Sequence, residues 1–165
     1  MRLSTKGRYA VMAMTDLARH GQDAGAERAV CLSDIAARQE ISLAYLEQLF
    51  ARLRRAGLVK SVRGPGGGYR LAKPLAETNI ADIVLAVDEP LHATRCSELK
   101  TAPHGKGCMA SGERCLTHNL WDALGQQIAG FLAGVSLEDV LERRIGAPGS
   151  PAQPAAAAPQ WVGAA

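Results

Sequence analysis

Residues 41–71 read ISLAYLEQLFARLRRAGLVKSVRGPGGGYRL, and this stretch decides the fold. Ser42 stands just before a run in which Leu46, Leu49, Phe50 and Leu53 recur at helical spacing, so it is placed to cap a helix over 43–56. Gly57 follows the last turn, where a glycine can take the left-handed conformation that closes a helix. "LVKSV" and "YRLAK" then read as two short strands joined by "RGPGGG". A capped amphipathic helix, a glycine stop and a glycine-tipped hairpin form the second half of a winged helix-turn-helix unit.

The flanking segments supply the rest. Upstream, "EIS" is a turn, and Ser33 is placed to cap a short helix, "SDIAARQ". Before it, Ala10, Met14 and Leu17 share one side of a helix over 8–20, with Val11 and Ala18 beside them, and "GQDAGAERAV" is a loop. Downstream, Asn79 precedes Ile80, Ile83, Val84 and Val87, a further helix face that Pro90 ends. A long helix over 116–134 aligns Leu120, Leu124, Ile128 and Phe131, flanked by Trp121 and Leu132. "SLED" at 136–139 has the form of a capping box and opens a last short helix. From Ala147 onward the chain is Pro, Ala and Gly without periodicity, the composition of a disordered tail.

The expected fold class is therefore mainly α with a small β-hairpin wing. A winged helix-turn-helix domain occupies 1–75, a connecting helix lies within 76–95, and a cysteine-rich loop spans 96–118. The long helix and a short C-terminal helix fill 116–145, and a Pro/Ala-rich tail follows over 146–165.

Charge points the same way. The net charge is +3, but residues 1–75 hold 13 Lys/Arg against 6 Asp/Glu, and residues 76–165 hold 6 against 10. A basic N-terminal half suits a polyanion such as nucleic acid. "MRLSTKGRYAVMAMTDLA" begins like a secretion signal, but Asp16 breaks its apolar run, and an amphipathic helix describes it better. No apolar run approaches the roughly 20 residues that cross a bilayer. The expectation is a cytoplasmic protein with no membrane partner.

The second helix of the pair carries the candidate DNA-reading residues. Its apolar side packs inward, and its other side shows Ala44, Tyr45, Glu47, Gln48, Arg52 and Arg55. Polar side chains near the start of such a helix reach base edges in the major groove. Glutamine can pair with adenine through two hydrogen bonds, and glutamate can accept from cytosine. Arg52, Arg54 and Arg55 lie further along, where phosphate contact is natural. Arg63 leads the wing and is placed for a narrow minor groove, while Gly64 lets the backbone approach closely. Ser42 completes the set. A nucleotide-binding phosphate loop fits less well, because no Lys-Ser/Thr follows the glycines and a strand stands where that motif needs a helix.

The chain has 4 cysteines, three of them at Cys96, Cys108 and Cys115, with His118 close behind. A cytoplasmic setting keeps thiols reduced, so clustered cysteines point to metal binding or catalysis. Cys115 and His118 are one turn apart at a helix start, and a helix N-terminus favours an anionic ligand set. Three cysteines and one histidine complete four-coordination for either zinc or an iron–sulfur cluster. The gaps of 11 and 6 residues between the cysteines differ from the paired spacing usual for structural zinc. Replacing one thiolate by imidazole removes a negative charge and raises a cluster's reduction potential. His92 and His104 are nearby alternatives read as surface residues, and Cys31 reads as a small buried residue. A small redox enzyme is a poor fit, since the chain has no C-x-x-C pair and that reading leaves the basic helix and wing unused. The expectation is a non-enzyme.

"MRLSTKGRYAV", the whole of "ISLAYLEQLFARLRRAGLVKSVRGPGGGYRL", "AVDEP" and the "RC…C…CLTH" series resemble the IscR family of bacterial iron–sulfur cluster regulators, over about residues 1–144. The resemblance implies a homodimeric winged helix-turn-helix transcription factor, mainly a repressor, that binds a double-stranded DNA operator and controls cluster-assembly genes. It implies a [2Fe–2S] cluster on Cys96, Cys108, Cys115 and His118, with iron–sulfur assembly proteins as donors. It makes the long helix the dimerisation helix, and Tyr45, Glu47, Gln48 and Arg63 match the family's DNA-reading positions. The cysteine gaps here are longer than is usual in the family, and the tail is outside the match. Nitric-oxide-responsive relatives share the three cysteines, so His118 separates the two readings. A zinc-stabilised repressor is a further alternative.

Overall fold

The computed structural model describes residues 5–21, 28–87, 109 and 113–146. Six α-helices, one short 3-10 turn (Leu75–Glu77) and one hairpin are seen among them: α1 (Thr5–Gly21), α2 (Leu32–Gln39), α3 (Leu43–Arg55), β1 (Val59–Val62), β2 (Gly68–Leu71), α4 (Ile80–Ala86), α5 (His118–Ala133) and α6 (Leu137–Leu141). The architecture is mainly α with an antiparallel two-stranded wing.

α1 is the central post. Its buried face, Ala10, Ala13, Met14, Leu17 and Ala18, packs against α2, α3, β2, α4 and α6. Small residues on that face let several neighbours approach, and Met14 and Leu17 fill the space between them. Ile35, Leu46, Phe50, Leu53, Ile83 and Leu137 complete the core with almost no exposure.

The helix-turn-helix turn is held locally. Glu40 takes the left-handed conformation at φ 54°. The Ile41 amide donates back to the Ala36 carbonyl at 3.2 Å, and the Ile41 side chain is buried. Ser42 then caps α3 by accepting from the Tyr45 amide at 3.3 Å. At its far end, Leu58 N–H donates to Leu53 carbonyl at 3.0 Å and Gly57 N–H to Arg54 carbonyl at 3.1 Å, while Gly57 sits at φ 74°. This pair of bonds is the Schellman closure, which favours glycine at that position.

α2 departs from expectation. It begins one residue before Ser33, and Cys31, not Ser33, occupies the capping position. The Cys31 carbonyl accepts from the Asp34 and Ile35 amides at 3.2 and 3.3 Å. Cys31 is also exposed, not buried as its residue type suggested. The cause lies at Val30, which exchanges both backbone hydrogen bonds with Tyr69 at 2.9 Å. The chain leaves this bridge directly into the helix, Leu32 takes the buried position, and Cys31 is turned outward.

In the wing, Val59 pairs with Leu71, Lys60 with Arg70, Ser61 with Tyr69 and Val62 with Gly68. Phe50 of α3 meets Tyr69 edge-on at 4.9 Å between ring centroids, which seats the hairpin on α3. Gly68 is required by close approach, because a Cβ there would run into the Val30 carbonyl.

Asn79 caps α4 by accepting from the Asp82 amide at 2.8 Å. The chain before α6 returns to this point, with Ile80 N–H donating to Val135 carbonyl and Leu137 N–H to Thr78 carbonyl, each at 2.9 Å. The capping box at α6 is complete: Ser136 Oγ accepts from the Asp139 amide at 3.1 Å, and Asp139 accepts from the Ser136 amide at 3.0 Å. α5 starts two residues later than the apolar pattern indicated, since Leu116 is fully exposed and Thr117 holds the capping position. The end of the connecting segment (88–95), most of the cysteine-rich loop and the tail from 147 lie outside the described residues.

Candidate functional site

α3 presents a mixed surface. Ala44, Glu47 and Gln48 are exposed on its first two turns, and Ser42 is committed through its side chain to the cap. Arg54 and Arg55 are exposed, and Arg55 Nε lies 3.3 Å from the Ala51 carbonyl of its own helix. Their exposure and charge are compatible with phosphate contact. Arg63 and Gly64 are exposed at the wing, where Gly64 takes φ 102° and its carbonyl accepts from the Gly67 amide at 2.9 Å. The tip is thus a tight turn that carries one arginine outward.

Two of the expected DNA-contacting residues are half-buried and engaged within the protein. Tyr45 meets Tyr9 of α1 edge to face, with centroids 6.0 Å apart and planes at 84°. Arg52 Nη1 donates to the Val87 carbonyl, at the end of α4, at 3.3 Å. Tyr45, Gln48 and Arg52 share one edge of the helix, because they are separated by three and four residues. That edge is held at Tyr45 and at Arg52, with exposed Gln48 between.

Two features escaped the sequence reading. Lys6 and Arg8 are exposed on the first turns of α1, next to Tyr9 and hence near the start of α3. The run "KGR" was a basic signal that periodicity alone did not connect to the reading helix. The second is a buried ion pair beneath the helix-turn-helix. Asp16 accepts from Arg38 Nε at 3.2 and 3.1 Å, from Arg38 Nη2 at 2.6 Å and from Gln39 at 2.7 Å. Burial pushes the Asp16 carboxyl up, but the hydrogen bonds from Arg38 and Gln39 outweigh it and hold it below its ordinary value. The exposed Cys31 thiol is held below its ordinary value by hydrogen bonding with Ser33, at 3.0 Å.

Of the expected metal ligands, Cys115 and His118 are placed. His118 opens α5 and is buried, Cys115 is half-buried, and the His118 amide donates to the Cys115 carbonyl at 3.0 Å. Thr117 lies between them. Its hydroxyl is 3.7 Å from Cys115 Sγ and accepts from Trp121 Nε1 at 3.1 Å. Cys96 and Cys108, with His92 and His104, lie outside the described residues. Among the described residues no three metal-ligating side chains come together. A soft thiol and an imidazole one turn apart at a helix start are a donor pair that suits zinc or an iron–sulfur cluster.

α5 itself is unusual for its exposed apolar residues. Leu120 is 61% exposed, its neighbour Trp121 is partly exposed, and Phe131, three turns further along, is 40% exposed. No helix among the described residues is long and apolar enough to cross a membrane.

Comparison with known proteins agrees with this geometry. The family model Rrf2, described as an iron-dependent transcriptional regulator, matches residues 3–143. The chain is 53% identical to the HTH-type transcriptional regulator IscR of Photorhabdus laumondii over 144 residues, covering 87% of this chain and 81% of that one. It is 50% identical to a putative HTH-type transcriptional regulator of Neisseria meningitidis over 150 residues, covering 91% and 94%. Among solved structures it is similar to T. potens IscR, with a TM-score of 0.67 and 36% identity, covering 87% and 88%. It is also similar to CymR, the global cysteine regulator of B. subtilis, with a TM-score of 0.65 and 30% identity, covering 87% and 98%. These relatives are regulators, not enzymes, and the chain belongs to the Rrf2 family of transcriptional regulators.

Proposed function

We propose that this DNA-binding regulator is a cytoplasmic repressor that senses iron–sulfur cluster status and controls cluster-assembly genes. A [2Fe–2S] cluster on Cys96, Cys108, Cys115 and His118 is the sensor, iron–sulfur assembly proteins are its donors, and a homodimer on a double-stranded operator is the acting form. The observation that supports this reading is the turn before α5, where the His118 amide donates to the Cys115 carbonyl, in a chain whose other half is a winged helix-turn-helix. When bound, the cluster supplies a labile centre whose presence or loss is the signal.

The chain's own residues do the rest. Glu47 and Gln48 face bases, and Arg63 enters the minor groove from the wing. Arg54, Arg55, Lys6 and Arg8 meet phosphates and set register. The exposed apolar residues of α5, Leu120, Trp121 and Phe131, support pairing of two copies along this helix.

The test is the visible absorption spectrum of the protein purified without oxygen. Sulfur-to-iron charge transfer colours a cluster protein, whereas zinc(II) is colourless. A red-brown protein with equal iron and sulfide, whose spectrum shifts in His118→Cys, supports the sensor. A colourless protein with stoichiometric zinc overturns it and leaves a repressor with a structural metal. A coloured protein whose spectrum is indifferent to His118 points instead to the nitric-oxide-responsive kind.

A further inference from the structure

We infer that Arg52 is a positioning residue that links the recognition helix to the start of the cysteine-bearing segment, and so conveys the state of that segment to operator affinity. The inference rests on the cluster reading above. By its place in the sequence Arg52 was expected to contact phosphate. Its guanidinium instead turns back, half-buried, and Nη1 donates to the carbonyl of Val87 at 3.3 Å.

Three features give this bond a consequence. Val87 is the residue that closes α4, and the chain that follows it carries Cys96 and Cys108. α4 buries Ile83 and Val84 in the same core as Leu49, Phe50 and Leu53 of α3, so the two helices share a packed interface. Arg52 also lies one turn beyond Gln48 on the same edge of α3, and Tyr45, on that edge too, is held by Tyr9 of α1. A displacement of the α4 terminus thus pulls at Arg52 against a fixed point at Tyr45. The residue between the two, Gln48, is one of the pair, with Glu47, proposed above to face bases. Interfaces of this kind switch between discrete arrangements instead of deforming continuously.

The partner atom matters for the test. A guanidinium on a backbone carbonyl reads the position of the chain and not the identity of the Val87 side chain, so the link is probed at Arg52 and not by substituting Val87. Lysine keeps a donor and a charge, whereas glutamine is shorter than arginine and carries no charge.

The experiment measures operator affinity of full-length wild type, Arg52→Gln and Arg52→Lys, each with and without cluster. The duplex is one selected from a random pool by the wild-type protein. In wild type the two states are expected to differ by a factor in the allosteric range of about 5–150. Arg52→Gln is expected to bring that ratio close to one, and Arg52→Lys to restore part of it. Hydrogen exchange at the amides of α3 and of residues 83–87, in cluster-free protein, is expected to speed up in Arg52→Gln alone. If instead Arg52→Gln weakens both states equally and lowers the salt slope by about one, Arg52 is a phosphate contact and the inference falls. A wild-type ratio well above one that Arg52→Gln leaves intact overturns this inference alone. A wild-type ratio of one overturns both the inference and the cluster reading.

Discussion

Asp16 of α1 and Arg38 of α2 form an ion pair of 2.6 Å in which the carboxylate is sequestered and the guanidinium reaches partly to solvent. The asymmetry decides which partner matters more. Removing Arg38 strands a buried charge with Gln39 as its remaining donor, whereas removing Asp16 leaves a guanidinium that water can hydrate. Arg38→Met is expected to lower unfolding free energy by about 1.5–3 kcal/mol, the range for hydrogen bonds to a charged group. Asp16→Leu combined with Arg38→Met should recover part of that loss. Urea unfolding of the three variants checks this, and a double variant no better than Arg38→Met alone contradicts it.

The same pair sets an acid limit. Asp16 is held below its ordinary value of 3.8, so the unfolded chain binds its proton more readily than the native one. Its contribution is complete above that value and declines as pH falls through it toward the lower native value. Wild type should therefore lose more stability than the Asp16→Leu/Arg38→Met double variant between about pH 5 and pH 2. Parallel stability curves would remove the pair from the account.

Gly68 tests the bridge that redirects α2. A methyl group there meets the Val30 carbonyl, and the Val30–Tyr69 hydrogen bonds must open to admit it. Gly68→Ala is expected to cost about 1–3 kcal/mol, the usual range for overpacking. Thermal unfolding measures it, and an unchanged midpoint would show that the bridge does not hold the wing.

The reading surface makes separable predictions. Gln48→Ala should weaken operator binding by about 1–3 kcal/mol and relax preference at one base pair. Arg63→Ala should cost a similar amount, chiefly at narrow-groove sequences. Binding should also fall steeply as salt rises, through counterion release. Fluorescence anisotropy across a set of duplexes and salt concentrations measures all three. Affinity that is flat with salt would contradict a phosphate-dominated interface.

The exposed apolar side chains of α5 predict association. Leu120→Asp places a charge where Leu120 is now 61% exposed next to Trp121, and should convert a dimer to monomer in sedimentation experiments. A variant that sediments like wild type would show that pairing uses another surface.

Much of the architecture was legible in the chain. Ser42, Gly57, Asn79 and Ser136 act at the positions their types suggest, and the apolar spacing over 43–55 marks the buried face of α3. The sequence spacing placed Cys115 and His118 three residues apart, and a turn before α5 joins them through the His118 amide and the Cys115 carbonyl. Cys31 was misread, as was the start of α2, because a backbone bridge to Tyr69 sets both and leaves no local mark.

The division follows the range of the interactions. The sequence by itself determined the caps at Ser42, Asn79 and Ser136, the buried faces of the helices and the glycine stop at Gly57, since each depends on residues within a turn or two. Only the tertiary structure decided that Arg38 holds Asp16 across 22 residues and that Arg52 turns to Val87 across 35. Those partners are chosen by which surfaces pack together. A long arginine can reach a phosphate, a carboxylate or a carbonyl with equal ease, so its residue type leaves the choice to the fold.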